Sequence, residues 1–177
     1  MQGNTESETD IEHEPETDNE FAMKKWQRIY RRENMKAELK LQIDAVKNGN
    51  ILYADAGIDN FVFLTDGHYG AYIRKNQVRI DLSKCKKIKL EGDTDFNNIL
   101  KISYPARETK TAFLAGNDFC IKIKTEDTYC FVKEKYLKMF PGWDTIRISG
   151  KDKAVLIMRS GDPYGLIMPM KISEELE

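Results

Sequence analysis

Short segments in which apolar and polar residues alternate one for one, separated by tight-turn residues, recur along this chain and restrict it to a fold built on antiparallel strands. Alternation with period two puts one set of side chains on each face of a strand. Leu39, Leu41 and Ile43 alternate with Lys40, Gln42 and Asp44; Val78, Ile80 and Leu82 alternate again; Phe119, Ile121 and Ile123 do so in the second half. Asn48, Gly49 and Asn50 supply a turn after the first run, because Asn and Gly tolerate positive φ. Further strands are expected at 60–64 and 68–74, with Asp66 and Gly67 as the turn between them, and a short one at 129–131. Three strands at 145–149, 154–159 and 164–172 close the chain, separated by 150–153 and 161–163.

Two segments have helical spacing instead. Ala22, Trp26, Ile29 and Tyr30 recur at i, i+4, i+7 and i+8, one face of a helix between Phe21 and Asn34, with Lys24, Lys25, Arg28, Arg31 and Arg32 on the rest of it. Val132, Tyr136, Leu137 and Phe140 mark a second, short helix, with Lys133, Lys135 and Lys138 opposite and Pro141 and Gly142 ending it. Residues 91–105 read as a loop, and no motif stands out between Lys75 and Asp118. A helix followed by strands, twice over, predicts an α+β domain containing an internally duplicated helix-plus-antiparallel-strands unit, the repeat lying in structure rather than in residue identity.

Composition narrows the functional classes. The longest aliphatic run, Ala154 to Met158, is far short of the roughly 18 to 20 residues of a membrane helix, so no membrane association is expected. The amino terminus has no apolar stretch behind a basic start, and the cytoplasm is the expected location. Cys85, Cys120 and Cys130 form no CxxC pair and read as reduced thiols. With His13 in an acidic segment and His68 lacking a second histidine, neither a metal nor another cofactor is expected. Residues 1–20 hold eight acids and no Lys or Arg, which leaves 28 basic residues against 21 of the 29 acidic ones in 21–177, about +7. This segment is expected to be a disordered tail on a single domain spanning 21–177. It reads either as a solubilising tail or as a polyanion that competes for a basic surface.

Two segments carry a resemblance. Residues 132–172, VKEKYLKMFPGWDTIRISGKDKAVLIMRSGDPYGLIMPMKI, resemble the carboxy-terminal end of the bacterial DNA polymerase III β subunit family, the sliding clamps: Tyr136 and Leu137 match a Tyr-Leu pair, and Met168, Pro169, Met170, Lys171 and Ile172 a Met-Pro-Met-Arg-Leu type ending. Residues 65–73, TDGHYGAYI, are similar to a Thr-Asp-Gly-His-Arg-Leu-Ala stretch of the clamp's middle domain. The departures are Tyr69 and Gly70 in place of Arg and Leu, Val132 or Lys133 in place of an Asn at the helix start, and room for one domain where a family protomer has three. The resemblance implies a DNA-clamp-like domain, divergent and single.

It also implies sites. Clamp helices meet duplex DNA phosphates without reading bases, which carried over here makes Lys24, Lys25, Arg28, Arg31, Arg32, Lys133, Lys135 and Lys138 the candidate DNA contacts; the plainer reading is a Lys-rich face that serves solubility. Clamps present a hydrophobic pocket to polymerase and clamp-loader peptides. Its counterparts would be Thr65, Gly67, His68 and Tyr69 with Leu166, Met168, Pro169 and Met170, the plainer reading being that Leu166, Met168 and Met170 share a strand face and pack inward. In the family the two pocket pieces come from adjacent domains, so a one-domain chain is expected to bring them together across a subunit boundary, in a head-to-tail homo-oligomer.

Three readings stand beside each other. The first is a non-catalytic sliding-clamp-like protein that binds duplex DNA, replication-protein peptides or both. The second is a clamp-fold interaction module or decoy, from a phage or mobile element, that forms no ring and binds no DNA. The third is a clamp domain that keeps the fold and has lost the function. Enzyme chemistry has little support: Asp66 and His68 are the one acid–base pair worth weighing, and neither a nucleophile elbow nor a Gly-rich phosphate loop accompanies them. Nor does the sequence interleave basic and stacking aromatic residues as a single-strand platform would, Trp26 and Tyr30 falling on the apolar face of their helix.

Overall fold

The computed structural model describes residues 36–172; residues 1–20, the helix expected over 21–34 and its Lys24, Lys25, Arg28, Arg31 and Arg32 lie outside them. All the described residues belong to one compact unit. Its centre is a pair of strands so apolar that both faces must be covered: β2 (Phe61–Thr65) is buried at every position, and β3 (Tyr69–Arg74) at all but the last. Around them lie β1 (Leu52–Asp55), β4 (Lys86–Lys87), β5 (Tyr104–Ala115), β6 (Asp118–Lys124), β7 (Tyr129–Lys133), β8 (Thr145–Ile148), β9 (Val155–Arg159) and β10 (Asp162–Ile167). The sheet order is β4-β1-β2-β3-β10-β9-β8-β5-β6-β7. Among the described residues only the β1–β4 contact is parallel.

Helices cover both faces. On one, α1 (Ala37–Asn48) and the single turn α3 (Glu134–Leu137) pack Ala37, Leu41, Leu137 and Phe140 against Val62, Leu64, Tyr69, Ile73, Ile146, Val155 and Ile157. The two are tied by a hydrogen bond from Ala37 N to Met139 O, 2.9 Å. On the other face, α2 (Phe96–Ile102) sets Phe96 and Ile99 against Phe63, Tyr72, Leu156 and Leu166. The result is a mixed α+β fold in which a helix followed by a three-stranded antiparallel meander occurs twice, α1-β1-β2-β3 and α3-β8-β9-β10, with the third strands β3 and β10 paired at the middle.

Those middle strands carry Gly where rings must approach. A Cβ on Gly70 would lie 2.1 Å from the Phe63 ring, and one on Gly165, on the opposite face, 2.1 Å from the Phe140 ring. Each glycine follows a tyrosine just beyond a hairpin turn, Asp66-Gly67-His68-Tyr69-Gly70 and Gly161-Asp162-Pro163-Tyr164-Gly165. A Tyr-Gly pair thus stands at the start of the third strand of each meander.

Five expectations are corrected. Leu39, Leu41 and Ile43 lie on a helix, not a strand: the buried stripe is Ala37, Leu41 and Gln42, Leu39 is more than half exposed, Lys40 pairs with Asp44 at i+4, and Gly49 closes the helix at φ 65°. Val78, Ile80 and Leu82 pack against the core but pair with no strand; the Gln42 side chain takes up the Arg79 amide, and Asp81 caps a 3₁₀ turn at Leu82–Lys84. Residues 91–105 are not a loop, since the Asp95 carboxylate accepts from Asn98 N and starts α2. The helix expected from Val132 to Phe140 is one turn, with Val132 and Lys133 in β7. The last strand stops at Ile167, and the chain then leaves β10.

Candidate functional site

The Thr65–Tyr69 turn is built by its own side chains. The Asp66 carboxylate accepts from His68 N (2.8 Å) and Tyr69 N (3.1 Å), while the Thr65 hydroxyl donates to Tyr69 O (2.7 Å) and accepts from Gly67 N (3.0 Å). Gly67 sits at φ 92°, a conformation other residues rarely adopt. The His68 and Tyr69 amides both donate to Asp66 Oδ1, so this carboxylate serves the turn.

This turn lies beside the end of β10 within one chain. Ile167 pairs with Tyr69, and Met168 N donates to His68 O at 2.9 Å. The expectation that the two segments need a subunit boundary to meet is thereby overturned. The reason is topological: β3 and β10 are the third strands of the two meanders, and their antiparallel pairing sets the start of one beside the end of the other.

What reaches the surface is a subset of the expected pocket. His68 is exposed and stacks on Tyr136, ring centroids 6.3 Å apart and planes 11° from parallel; Met168 is 41% exposed. Pro169 is half-buried beside it. Leu166 faces the opposite layer, with Phe63 and Leu156, so it is core and not pocket. Tyr69 is also core: burial raises its phenol far above the ordinary value, and its ring packs at 5.1 Å from Tyr136. Thr65 is buried in the turn, and the Met170 thioether covers the Cys120 thiol while Met170 N donates to Phe131 O (2.8 Å). Leu166, Met168 and Met170 therefore do not share one face, because β10 ends at Ile167 and the alternation of a strand does not continue through Met168 and Met170. Tyr136, half-buried and carrying His68, is a site residue that sequence reasoning used only as a family marker.

Of the lysines expected to meet DNA, the three among the described residues are ion-paired. Lys133 and Lys135 both bind Asp118, at 2.8 and 2.6 Å, and Lys138 binds Glu134 at 2.7 Å. Hydrogen bonds from Lys133 and Lys135 hold the Asp118 carboxyl below its ordinary pKa. Lys133 belongs to β7 rather than to a helix face. The outer side of α1 is partly apolar, with Leu39, Ile43 and Val46 beside a shallow cavity of about 290 Å³ completed by Ile80 and Arg79.

Among the described residues no group of three His, Cys, Asp or Glu side chains is gathered as metal ligands would be, and no helix is long and apolar enough to cross a membrane. No protein-family model matches the chain, and comparisons with curated proteins and with solved structures find no match.

Proposed function

We propose that the protein is a non-catalytic, clamp-like interaction module that docks short peptides of replication proteins on the patch formed by His68, Tyr136, Met168 and Pro169. One observation carries the reading: the two segments that resemble a clamp's peptide pocket, about a hundred residues apart in sequence, are joined by the bond from Met168 N to His68 O. A flexible thioether beside a stacked imidazole–phenol pair offers an apolar anchor point with polar edges, which suits peptides of varied sequence. The twofold helix-and-meander order supports the clamp-like comparison. Carboxylate pairing of Lys133, Lys135 and Lys138 favours a protein-binding module over a duplex-holding clamp, since a phosphate would have to displace an existing partner.

Fluorescence anisotropy with labelled peptides from polymerase and clamp-loader termini tests this. Saturable binding is expected, weakened by about tenfold or more in Met168→Asp, with the variant still folded in its melting curve because Met168 lies past the end of β10 and is 41% exposed. Absence of saturable binding, or full affinity in Met168→Asp, overturns the proposal. Salt-sensitive retention of duplex DNA by the full chain, in place of peptide binding, returns the duplex-holding reading.

A further inference from the structure

We propose that the outer face of the β5–β6–β7 sheet is a stacking surface for single-stranded nucleic acid. These strands have one face in the core, carrying Ile123, Cys130 and Val132. Residues directly opposite one another in an antiparallel pair share a face. The pairs Arg107–Lys124, Lys124–Tyr129, Lys122–Phe131 and Phe113–Cys120 therefore assemble Phe113, Phe131 and Tyr129 on the other side with Arg107, Lys122 and Lys124. Phe131 is buried and edge-on to both neighbours, at 5.0 Å from Phe113 and 5.7 Å from Tyr129. It thus serves as a floor, and half-buried Phe113 and Tyr129 are the two rings that bases would reach.

Charge identifies the occupant. The Lys122 ammonium lies 3.9 Å from the Tyr129 ring centre, and no carboxylate is bonded to Lys122, Lys124 or Arg107 among the described residues. Asp118, the carboxylate at the far end of this face, is already bound by Lys133 and Lys135. Aromatic rings set between uncompensated cations match a flexible polyanion whose bases are free to stack, whereas a duplex keeps its bases inside. Lys122, on its long stem, would exchange the ring face for a phosphate as a base arrives.

The test uses the full chain and short labelled oligo-dT and oligo-U strands in anisotropy titrations at low and moderate salt, with a duplex of equal length alongside. Single strands are expected to bind more tightly than the duplex. Tyr129→Leu and Phe113→Leu should each weaken binding by roughly fivefold to a hundredfold, Tyr129→Phe should retain it, and Lys122→Gln should lower the salt slope by about 0.7. Lys122→Gln does not threaten folding, and melting curves accompany every variant. The proposal is overturned by no saturable single-strand binding at low salt, by a duplex bound as tightly as the single strand, or by undiminished affinity in folded Tyr129→Leu and Phe113→Leu, which would assign retention to charge alone.

Discussion

Gly70 and Gly165 illustrate how single residues hold the two helical layers against the sheet. A methyl group at either would overlap a buried ring, and in each case a backbone oxygen also lies within 3.0 Å of the added carbon. Gly70→Ala and Gly165→Ala should each lower stability in urea unfolding by about 1–3 kcal/mol, although Ala is normally the better strand residue. Asp118 gives a pH signature at the same scale. Its carboxyl is lowered by Lys133 and Lys135 from an ordinary value of 3.8, so its contribution is fully present above that value and is lost as the pH falls through the folded one. Asp118→Asn should leave the protein less stable at neutral pH and shallower in its acid limb below about pH 4, read from denaturation midpoints across the pH series.

At the scale of elements, α1 is decided by what its far side meets. Its Gln42 is buried, its side-chain oxygen accepts from Arg79 N at 2.6 Å, and its amide nitrogen points to Gln77 O at 3.5 Å. Gln42 thus fixes the 77–79 segment beside the helix and takes the place of a strand partner for it. Gln42→Ala should cost about 1–2 kcal/mol by leaving the Arg79 amide unsatisfied, and hydrogen exchange at Arg79 should rise in step. The period-two pattern of Leu39, Leu41 and Ile43 misleads because only Leu41 is fully buried; the decisive spacing, Ala37 to Leu41 to the half-buried Ala45, is helical. The signal for α2 was present in Asp95 followed by Phe96 and Ile99, a cap before an i, i+3 pair. β5 had none: mostly exposed along its length, it carries no clean alternation, and only its partners β6 and β8 make it a strand.

For the whole molecule, the segment after β10 closes one end of the sheet. Met168 reaches His68 and Met170 reaches Phe131, so residues 168–170 run from β3 to the otherwise open side of β7 and cover Cys120. A chain ending at Ile167 should therefore uncover both a strand edge and a thiol. Cys120, fully buried in the intact chain, should become reactive toward a thiol reagent, while Cys130, whose thiol burial pushes up to about 12, stays protected until unfolding. Light scattering on the same sample should report self-association.

Strand segments at 61–64, 69–74, 119–123, 129–131, 145–148, 155–159 and 164–167 follow from the sequence alone, because alternation and Gly- or Asp-bearing turns are local properties, whereas Val132 and Lys133 join their strand only through pairing with β6. So does the face-sharing of Tyr129 and Phe131, two residues apart on one strand. The tertiary structure alone decides that the turn at Asp66 and the end of β10 meet within one chain, that Leu166 lies in the opposite layer, and that Lys133 and Lys135 are already paired. Each of these depends on pairing order or register between strands, and no local pattern encodes either.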